Sequence, residues 1–481
     1  MSETLNTKVR SATKWSTITE VAAKLVTPII SMVLARLLAP EAFGVVTTLT
    51  MIITFAEIFT DAGFQKYLVQ HEFKDDLDRD ESTNVAFWSN LIMSLVIWGI
   101  IALFADPLAT LVGNPGLGHV LSIACVSIPL AAFSSIQMAL YKRDLDFRTL
   151  FKVRMVSTLI PLIVTVPLAF WMRNYWALII GTIAVNLVNA VLLTVFSKWK
   201  PRWFYSFDKL KEMFSFTVWS MIEAITIWLT SYVDVFIVGT MLSQYYLGLY
   251  KTSSALVGQI MGLVTAITTP ILFSALSRLQ NNEIEFQRLF FRFQKLVSLL
   301  LFPLGMGIFL FSDLATELIL GNQWGEASGF VGLWALTSAV TIVLSHFSSE
   351  VYRAKGKPKL SVLAQILHII VLLPTVLIAV RYGFETLYRA RSLVRLEMIV
   401  VNLIIMGEVI KIPIGKMINN IIPASLGAIS MLLILLLPSA ESLLKSILYA
   451  FLAGSIYLIV VMLFREERNA LFNLAKYIRV K

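Results

Sequence analysis

Apolar segments of membrane-spanning length follow one another along most of the chain, and this pattern leaves few possible folds. A helix of about 20 apolar residues crosses a hydrocarbon core of about 30 Å. Inside a bilayer the backbone must satisfy its own hydrogen bonds, and segments of this length satisfy them as helices. A hydrophobic fraction of 57% and a mean hydropathy of +0.78 agree with this interpretation. We predict an all-α polytopic membrane protein with about fourteen transmembrane helices, at 16–38, 42–65, 84–105, 119–141, 154–172, 176–197, 215–241, 248–273, 294–311, 327–350, 361–380, 390–410, 417–437 and 445–464.

An internal repeat divides this series of helices into two halves. The segment that begins at Trp15 matches the segment that begins at Trp219, an offset of 204 residues (219 − 15). The same offset relates Gly44 to Gly248. Internal repeats of this kind are typical of transporters built from two bundles. We predict an N-terminal bundle at 1–197, a cytoplasmic amphipathic linker at 198–214, a C-terminal bundle at 215–410, two additional transmembrane helices at 411–464 and a cytoplasmic tail at 465–481.

Lysine and arginine are unevenly distributed between the two sides of the predicted helices. With the N-terminus placed in the cytoplasm, 31 of the 40 Lys and Arg residues fall in cytoplasmic segments or at the span ends that adjoin them, and five fall in or beside outer segments. The other four, Lys24, Arg36, Lys251 and Arg395, are assigned to spans. Cytoplasmic loops of membrane proteins are enriched in these residues. We therefore predict that both termini face the cytoplasm. The placement also explains the net charge of +10 without a nucleic-acid partner.

Two basic segments with apolar side chains at helical spacing are predicted to lie along the cytoplasmic interface. Such segments anchor proteins beside anionic lipids. Membrane lipids are therefore expected partners. The side chains concerned are Trp203, Phe207, Leu210 and Phe214 in the linker, and Leu471, Leu474 and Ile478 in the tail.

Several ionisable residues fall within the predicted spans, where charge is costly and by default marks a substrate pathway or a buried pair. Some lie four residues apart on one helical face, as Glu20 and Lys24 do. A structural ion pair between helices is the alternative for each of them, and His368 is interpreted as a core histidine. We predict an anionic headgroup near Lys24, Arg36, Lys251, Arg391 and Arg395, because guanidinium groups offer forked donors to phosphate oxygens. Candidates for proton or cation coupling are Glu20, Glu57, Asp61, Glu223 and Asp234.

The sequence lacks the motifs of disulfide formation, nucleotide binding and metal binding. Its single cysteine, Cys125, excludes disulfides within one chain, and no P-loop or paired metal ligands occur. The predicted outer loops are too short for the soluble domain of a membrane enzyme that acts on lipid-linked glycans. We expect neither an enzyme nor a resident cofactor. Uphill transport would need an ion gradient, for example of protons or sodium, the membrane potential or a favourable substrate gradient.

Four stretches resemble one family of membrane proteins. The opening WSTITEV…ARLLAPEAFGVV, followed by FTDAGFQKYLVQ, resembles the start of bacterial polysaccharide exporters, in which an LxPxxFG turn joins the first two helices. ALYKRDLDFRTLFKVR and NYWALIIG resemble the colanic-acid and teichuronic-acid exporter branch of the multidrug/oligosaccharidyl-lipid/polysaccharide exporter superfamily. The segment RYGFETLYRARSLVRLEM departs from the Gly- and Ala-rich pattern of the family.

The resemblance implies two pseudo-symmetric six-helix bundles with two further C-terminal helices, and a flippase function. On this hypothesis the chain moves a polyprenyl-pyrophosphate-linked oligosaccharide across the bacterial cytoplasmic membrane by alternating access. Other polysaccharide assembly proteins are candidate partners. Two alternatives of the same superfamily stay open, an ion-coupled multidrug antiporter and a flippase for a peptidoglycan-precursor lipid. The basic residues within the spans argue against the antiporter, which would favour an acidic cavity.

Overall fold

Every secondary-structure element that the structure describes is helical. The structure is a computed structural model that describes residues 2–469, apart from 62, 358 and 439–441. The chain divides into two compact units, Met1–Lys251 and Thr252–Lys481, and the division falls within one long helix. This division lies C-terminal to the predicted linker at 198–214. The assignment of six helices to each bundle stays a prediction.

The first unit contains eleven complete helices and the start of a twelfth within its described residues. A π-helical turn at Pro161–Thr165 joins α8 to α9, so the two helices form one continuous helical segment. The bounds are α1 Ser2–Leu37, α2 Pro40–Asp61, α3 Phe64–Gln70, α4 Asp76–Leu103, α5 Ala105–Leu111, α6 Gly118–Ala124, α7 Ser127–Arg143, α8 Phe147–Ile160, α9 Val166–Met172, α10 Trp176–Phe196, α11 Phe207–Met241 and α12 Gln244–Arg278.

The second unit continues from α12 and is built mainly on the packing of α13 against α15 and of α17 against α18. Its helices are α13 Glu283–Leu310, α14 Ser312–Ile319, α15 Ser328–Thr341, α16 Ser348–Ala354, α17 Lys359–Ala379, α18 Phe384–Glu408, α19 Ile414–Asn419, α20 Ile422–Ser430 and α21 Leu443–Leu463. Shorter elements are 3₁₀ turns at Asn322–Ala327, Val380–Tyr382 and Met431–Leu436, and a π-helical turn at Ile342–His346.

Eleven helical segments of the described chain are long and apolar enough to cross a membrane. The chain is therefore a polytopic, all-helical membrane protein, as predicted. The three other predicted spans, at 16–38, 248–273 and 390–410, coincide with parts of α1, α12 and α18 to within two residues at their ends. In α18 the charges of Arg391, Arg395 and Glu397 reduce the apolar character of the helix.

Polar caps on several helices explain where those helices begin. The side chain of Asp75 accepts a hydrogen bond from the backbone N–H of Asp78 at 2.7 Å, and Asp146, Ser206, Asn282 and Ser442 cap the helices that follow them in the same way. Such caps satisfy backbone donors that the first helical turn leaves unpaired.

The repeat-related glycines Gly44 and Gly248 lie at a close crossing of α2 and α12. A Cβ atom on Gly44 would lie 1.9 Å from the carbonyl oxygen of Gln244, and one on Gly248 would lie 1.8 Å from that of Pro40. Pro40 and Gln244 are themselves related by the offset of 204 residues. The contact is therefore reciprocal, which is the symmetry that the sequence repeat predicts. Only glycine permits this approach of two backbones.

The predicted linker is helical only in its second part. Residues 198–206 are not helical, and α11 begins at Phe207, so Trp203 does not share a helix with the other apolar side chains of the linker. Instead the segment is bound to α4: the Trp203 and Trp88 rings stack at 4.2 Å, and Trp88 Nε1 donates to the carbonyl oxygen of Arg202 at 2.8 Å. Asn84 Oδ1 accepts from the backbone N–H of Arg202 at 2.7 Å. The backbone of this segment therefore forms hydrogen bonds with side chains of α4 in place of the internal hydrogen bonds of a helix. The position of the linker along the cytoplasmic interface stays a prediction.

Lys209 fastens the start of α11 to α4. Its ammonium group lies 2.5 Å from Asp78 Oδ1 and 3.2 Å from Glu81 Oε2, and the side chain is largely buried. Burial by itself lowers the pKa of Lys209, but the hydrogen bonds to the two carboxylates outweigh it, so the pKa is raised above its ordinary value. The stabilisation is therefore present at neutral pH and is lost as the pH rises through the raised pKa of the folded state.

We expect the substitution Lys209→Ala to lower the free energy of unfolding by about 1–3 kcal/mol, because it leaves Asp78 and Glu81 without their shared cation. Thermal unfolding of the purified protein in detergent measures the change. Lys211→Ala, at an exposed position in the same helical turn, is the control and should leave the melting temperature unchanged. Equal melting temperatures for the two variants would show that the Lys209 contact contributes nothing.

Candidate functional site

Two arginines of the second unit, Arg391 and Arg395, share one aromatic side chain. They lie one helical turn apart on α18, and both guanidinium groups lie over the ring of Trp334 on α15. The ring centroid is 3.9 Å from Cζ of Arg395 and 5.1 Å from Cζ of Arg391. Arg395 Nη1 also donates to Ser338 Oγ at 2.7 Å. We call these two arginines the guanidinium pair.

The surroundings of the guanidinium pair suit the binding of an anion. Trp334 and Ser338 are four residues apart on α15 and are almost fully buried. An indole face attracts a cation electrostatically and covers the guanidinium plane without using its N–H donors. The in-plane donors of such a group match the oxygens of a phosphate. The arrangement can therefore hold an anionic headgroup within a helical, apolar environment.

A histidine–glutamate pair lies beside the guanidinium pair. His368 on α17 is buried, and its Nδ1 lies 3.0 Å from Glu397 Oε2 on α18. His368 is thus a core histidine, as the sequence suggested, and its partner is an ionisable group. Further along α18, Asn402 Nδ2 donates to Ser345 Oγ at 2.8 Å and Asn402 Oδ1 accepts from Tyr352 at 2.8 Å. Polar contacts therefore follow α18 along much of its length.

In the first unit, the coupling candidate Asp234 is buried between α11 and α12. Its Oδ2 accepts a hydrogen bond from the Tyr250 hydroxyl at 2.6 Å. Lys251 follows Tyr250 on α12, and its Nζ lies 5.2 Å from the ring centroid of Tyr232. The contacts of Asp234 and Lys251 therefore link α11 to α12, the two helices with which the second copy of the sequence repeat begins.

Within its described residues, the first unit contains two cavities that are lined by both polar and apolar side chains. The first, of about 420 Å³, contains the coupling candidate Glu57 together with Lys66. The second, of about 440 Å³, lies between α1, α2, α8 and α10. Asn186 lines both. The other polar side chains of the first cavity are Thr54, Thr60, Gln65, Asn90, Ser134, Ser135 and Asn189, and those of the second are Thr27, Ser31, Arg154, Ser157, Thr158, Thr165 and Thr182.

The remaining predicted site residues are placed as follows. Lys24 is half-buried on α1, and Arg36 is exposed in the last turn of the same helix. The side chains of Glu20, Asp61 and Glu223 lie outside the described residues. The structure brings Arg391 and Arg395 together at one ring, and it places Glu57 in a cavity. The roles assigned to all these residues stay predictions.

Sequence reasoning missed Trp334 and Ser338 as partners of the arginines, and it did not pair His368 with Glu397. A signal was present, because Trp334 and Ser338 have the same four-residue spacing as Arg391 and Arg395. Periodicity identifies a shared face of one helix, but it does not show which helix packs against that face.

The sequence and the fold both match known proteins. A family model described as "Polysaccharide biosynthesis protein" matches residues 33–329. The succinoglycan biosynthesis transport protein ExoT of Rhizobium meliloti (strain 1021) is 25% identical over 350 residues, which cover 72% of this chain and 70% of that protein. The lipopolysaccharide biosynthesis protein WzxC of Escherichia coli (strain K12) is 21% identical over 324 residues, 67% and 65% of the two chains.

Among solved structures, the lipid II flippase MurJ in an inward closed conformation has a TM-score of 0.75. The match covers 94% of this chain and 99% of that one at 14% identity, which shows a shared fold. The resemblance to polysaccharide exporters is confirmed, because the family model covers more than half of the sequence. The chain therefore belongs to the polysaccharide biosynthesis protein family and is a multi-pass membrane transporter rather than an enzyme.

Proposed function

We propose that the chain is a flippase for polyprenyl-pyrophosphate-linked oligosaccharides. It moves repeat units from the inner to the outer leaflet of the bacterial cytoplasmic membrane for surface polysaccharide biosynthesis. Family membership supports the class of pathway, since the relatives are named for succinoglycan and lipopolysaccharide biosynthesis. The lipid-linked form of the cargo is what the resemblance to polysaccharide exporters implies, and the chemistry of the candidate site supports it.

The observation that supports this cargo most strongly is the guanidinium pair. Arg391 and Arg395 concentrate two positive charges over Trp334, inside a helix bundle where single charges are costly. A diphosphate has the charge and the oxygen geometry to bind there. In this proposal the guanidinium pair binds the pyrophosphate, the sugars occupy hydrated space, and the polyprenyl chain stays in lipid.

In the proposed transport cycle, two repeat-related halves of the chain give alternating access to the two sides of the membrane. The whole chain then has about fourteen spans. The eleven apolar segments, together with α1, α12 and α18, supply that number. Both termini then lie in the cytoplasm, which agrees with the distribution of lysine and arginine. The reciprocal contact of Gly44 with Gln244 and of Gly248 with Pro40 supports the symmetry of the two halves.

Reconstitution into liposomes tests the proposal directly. A polyprenyl-pyrophosphoryl oligosaccharide is included in the bilayer, and its transfer between leaflets is followed by its accessibility to a sugar-binding lectin added outside. We expect transfer that depends on the protein and on Arg395. Transfer no faster than in protein-free liposomes would contradict the proposed function.

A further inference from the structure

The pair formed by His368 and Glu397 lies near the middle of two long helices. His368 is the tenth of the 21 residues of α17, and Glu397 is the fourteenth of the 25 residues of α18. A rise of about 1.5 Å per residue places both more than 10 Å from either end of its helix. An imidazole and a carboxylate in contact at this depth form an ionisable site within the apolar part of the protein.

The His368–Glu397 pair can exist in two charge states, and the hydrogen bond between Nδ1 and the carboxylate is present in both. With a neutral imidazole, Nδ1–H donates to the carboxylate and the pair has a net charge of −1. Addition of one proton at Nε2 gives an imidazolium–carboxylate pair of net charge 0, and the Nδ1–H donor is unchanged. The proton therefore changes the charge of the site by one unit without requiring any rearrangement of the side chains.

The pair and the guanidinium pair share one helix. Glu397, which contacts the His368 ring at 3.0 Å, lies on α18 together with Arg391 and Arg395. Of the elements packed on α17 and α18, α15 has no ionisable side chain, and α16 has Glu350 paired with Arg353. Other ionisable groups on the packed elements are His346, Tyr352, Lys359, Arg381, Tyr382, Glu385, Tyr388, Arg389, Glu408 and Lys416.

We propose that the His368–Glu397 pair is a proton-binding site that takes up one proton when an anionic headgroup binds at the guanidinium pair. This inference rests on the proposed function and identifies the ion that is linked to it. With the pair deprotonated, Arg391, Arg395, His368 and Glu397 together have a net charge of +1. With the pair protonated, they have a net charge of +2, which matches the two negative charges of a diphosphate diester.

Linkage fixes the sign of the effect. If proton binding raises the affinity for the anion, anion binding raises the affinity for the proton by the same factor. The headgroup should therefore bind more tightly at the acidic end of the range in which histidine titrates, and its binding should consume protons. Neither effect is expected from a histidine whose only role is packing.

The test measures binding of polyprenyl-pyrophosphoryl-N-acetylglucosamine to the purified full-length chain in lipid nanodiscs. This diphosphate diester keeps the same charge over the whole range from about pH 5 to pH 8. Isothermal titration in two buffers of different ionisation enthalpy gives both the affinity and the number of protons taken up. We expect affinity to fall as the pH rises, by up to about tenfold per pH unit, with net proton uptake on binding.

Two substitutions should shift the affinity in opposite directions. Glu397→Gln removes the negative charge and the carboxylate that stabilises the imidazolium, so binding should be tight even at the highest pH and should depend less on pH than in the unmodified chain. His368→Gln keeps a donor to Glu397 but removes the site for the proton, so binding should be as weak as in the unmodified chain at the highest pH. The matched control is His346→Gln, which removes an exposed imidazole of the same unit and should keep the full pH dependence.

The possible outcomes separate this inference from the proposed function. Equal affinity at both ends of the pH range, with no proton uptake, would overturn the proton site and leave the flippase proposal standing. A chain that binds no lipid diphosphate at any pH would contradict the proposed function, and the inference would fail with it. The same pH dependence in both variants as in the unmodified chain would assign the proton to another group.

Discussion

The substitution Arg395→Glu is expected to reduce transfer of a lipid-linked diphosphate by about a hundredfold or more. Each charge-assisted hydrogen bond contributes about 1.5–3 kcal/mol, and about 1.4 kcal/mol corresponds to a factor of ten. The substitution removes such donors and adds a repulsive charge over Trp334. The measurement is the initial rate of leaflet transfer in liposomes that contain equal amounts of folded protein.

Two further variants separate a binding role from a structural one. Arg395→Lys keeps the charge but loses the forked donors, so it should keep part of the activity. Arg389→Glu reverses a charge on the same helix at an exposed position, where Arg389 pairs with Glu385, and it should transfer the lipid at the normal rate. Equal losses in Arg395→Glu and Arg389→Glu, with both proteins folded, would contradict the headgroup assignment.

The second large effect is expected at the repeat-related glycines. Gly44→Ala places a methyl group less than 2 Å from a backbone carbonyl oxygen, and no rotamer change relieves that contact. We expect a loss of about 1–3 kcal/mol in the free energy of unfolding, with a parallel loss of transfer. Gly248→Ala should have a similar effect, because it meets the reciprocal contact. Thermal unfolding and liposome transfer measure the two effects.

The double variant tests whether the two glycines form one contact. Once α2 and α12 have moved apart to accommodate the first methyl group, the second should cost less, so the combined loss should be smaller than the sum. The control is Gly258→Ala on α12, where a Cβ atom would meet nothing within 4 Å and the substitution should be neutral or slightly stabilising. Additive losses would show that the two positions act independently.

The helical, membrane-spanning character of the chain could be predicted because apolar length determines it. Predicted spans such as 176–197 and 361–380 lie close to the observed helices α10 and α17. The repeat offset was also informative, since it relates Gly44 to Gly248 and Pro40 to Gln244, the four residues of the reciprocal contact. The family could be recognised from the sequence because the turn between the first two helices has a distinctive spacing.

The details of the site depend on helix pairing, which a single sequence does not show. Arg391 and Arg395 could be selected as charged residues within a span, but their partner Trp334 lies more than fifty residues away on α15. The linker is a second example. Its apolar side chains have helical spacing, whereas Trp203 lies outside α11 and stacks on Trp88 of a distant helix, and the backbone binds Asn84. Tertiary contacts there outweigh local periodicity.

Depletion of the protein from its host tests the flippase proposal, with two measured quantities: which lipid-linked glycan accumulates and in which leaflet it accumulates. The flippase account predicts accumulation of a polyprenyl-pyrophosphate-linked repeat unit in the inner leaflet, reversed by the unmodified chain but not by the Arg395→Glu variant. No accumulation, together with increased sensitivity to cationic drugs, would contradict the account and favour a multidrug antiporter.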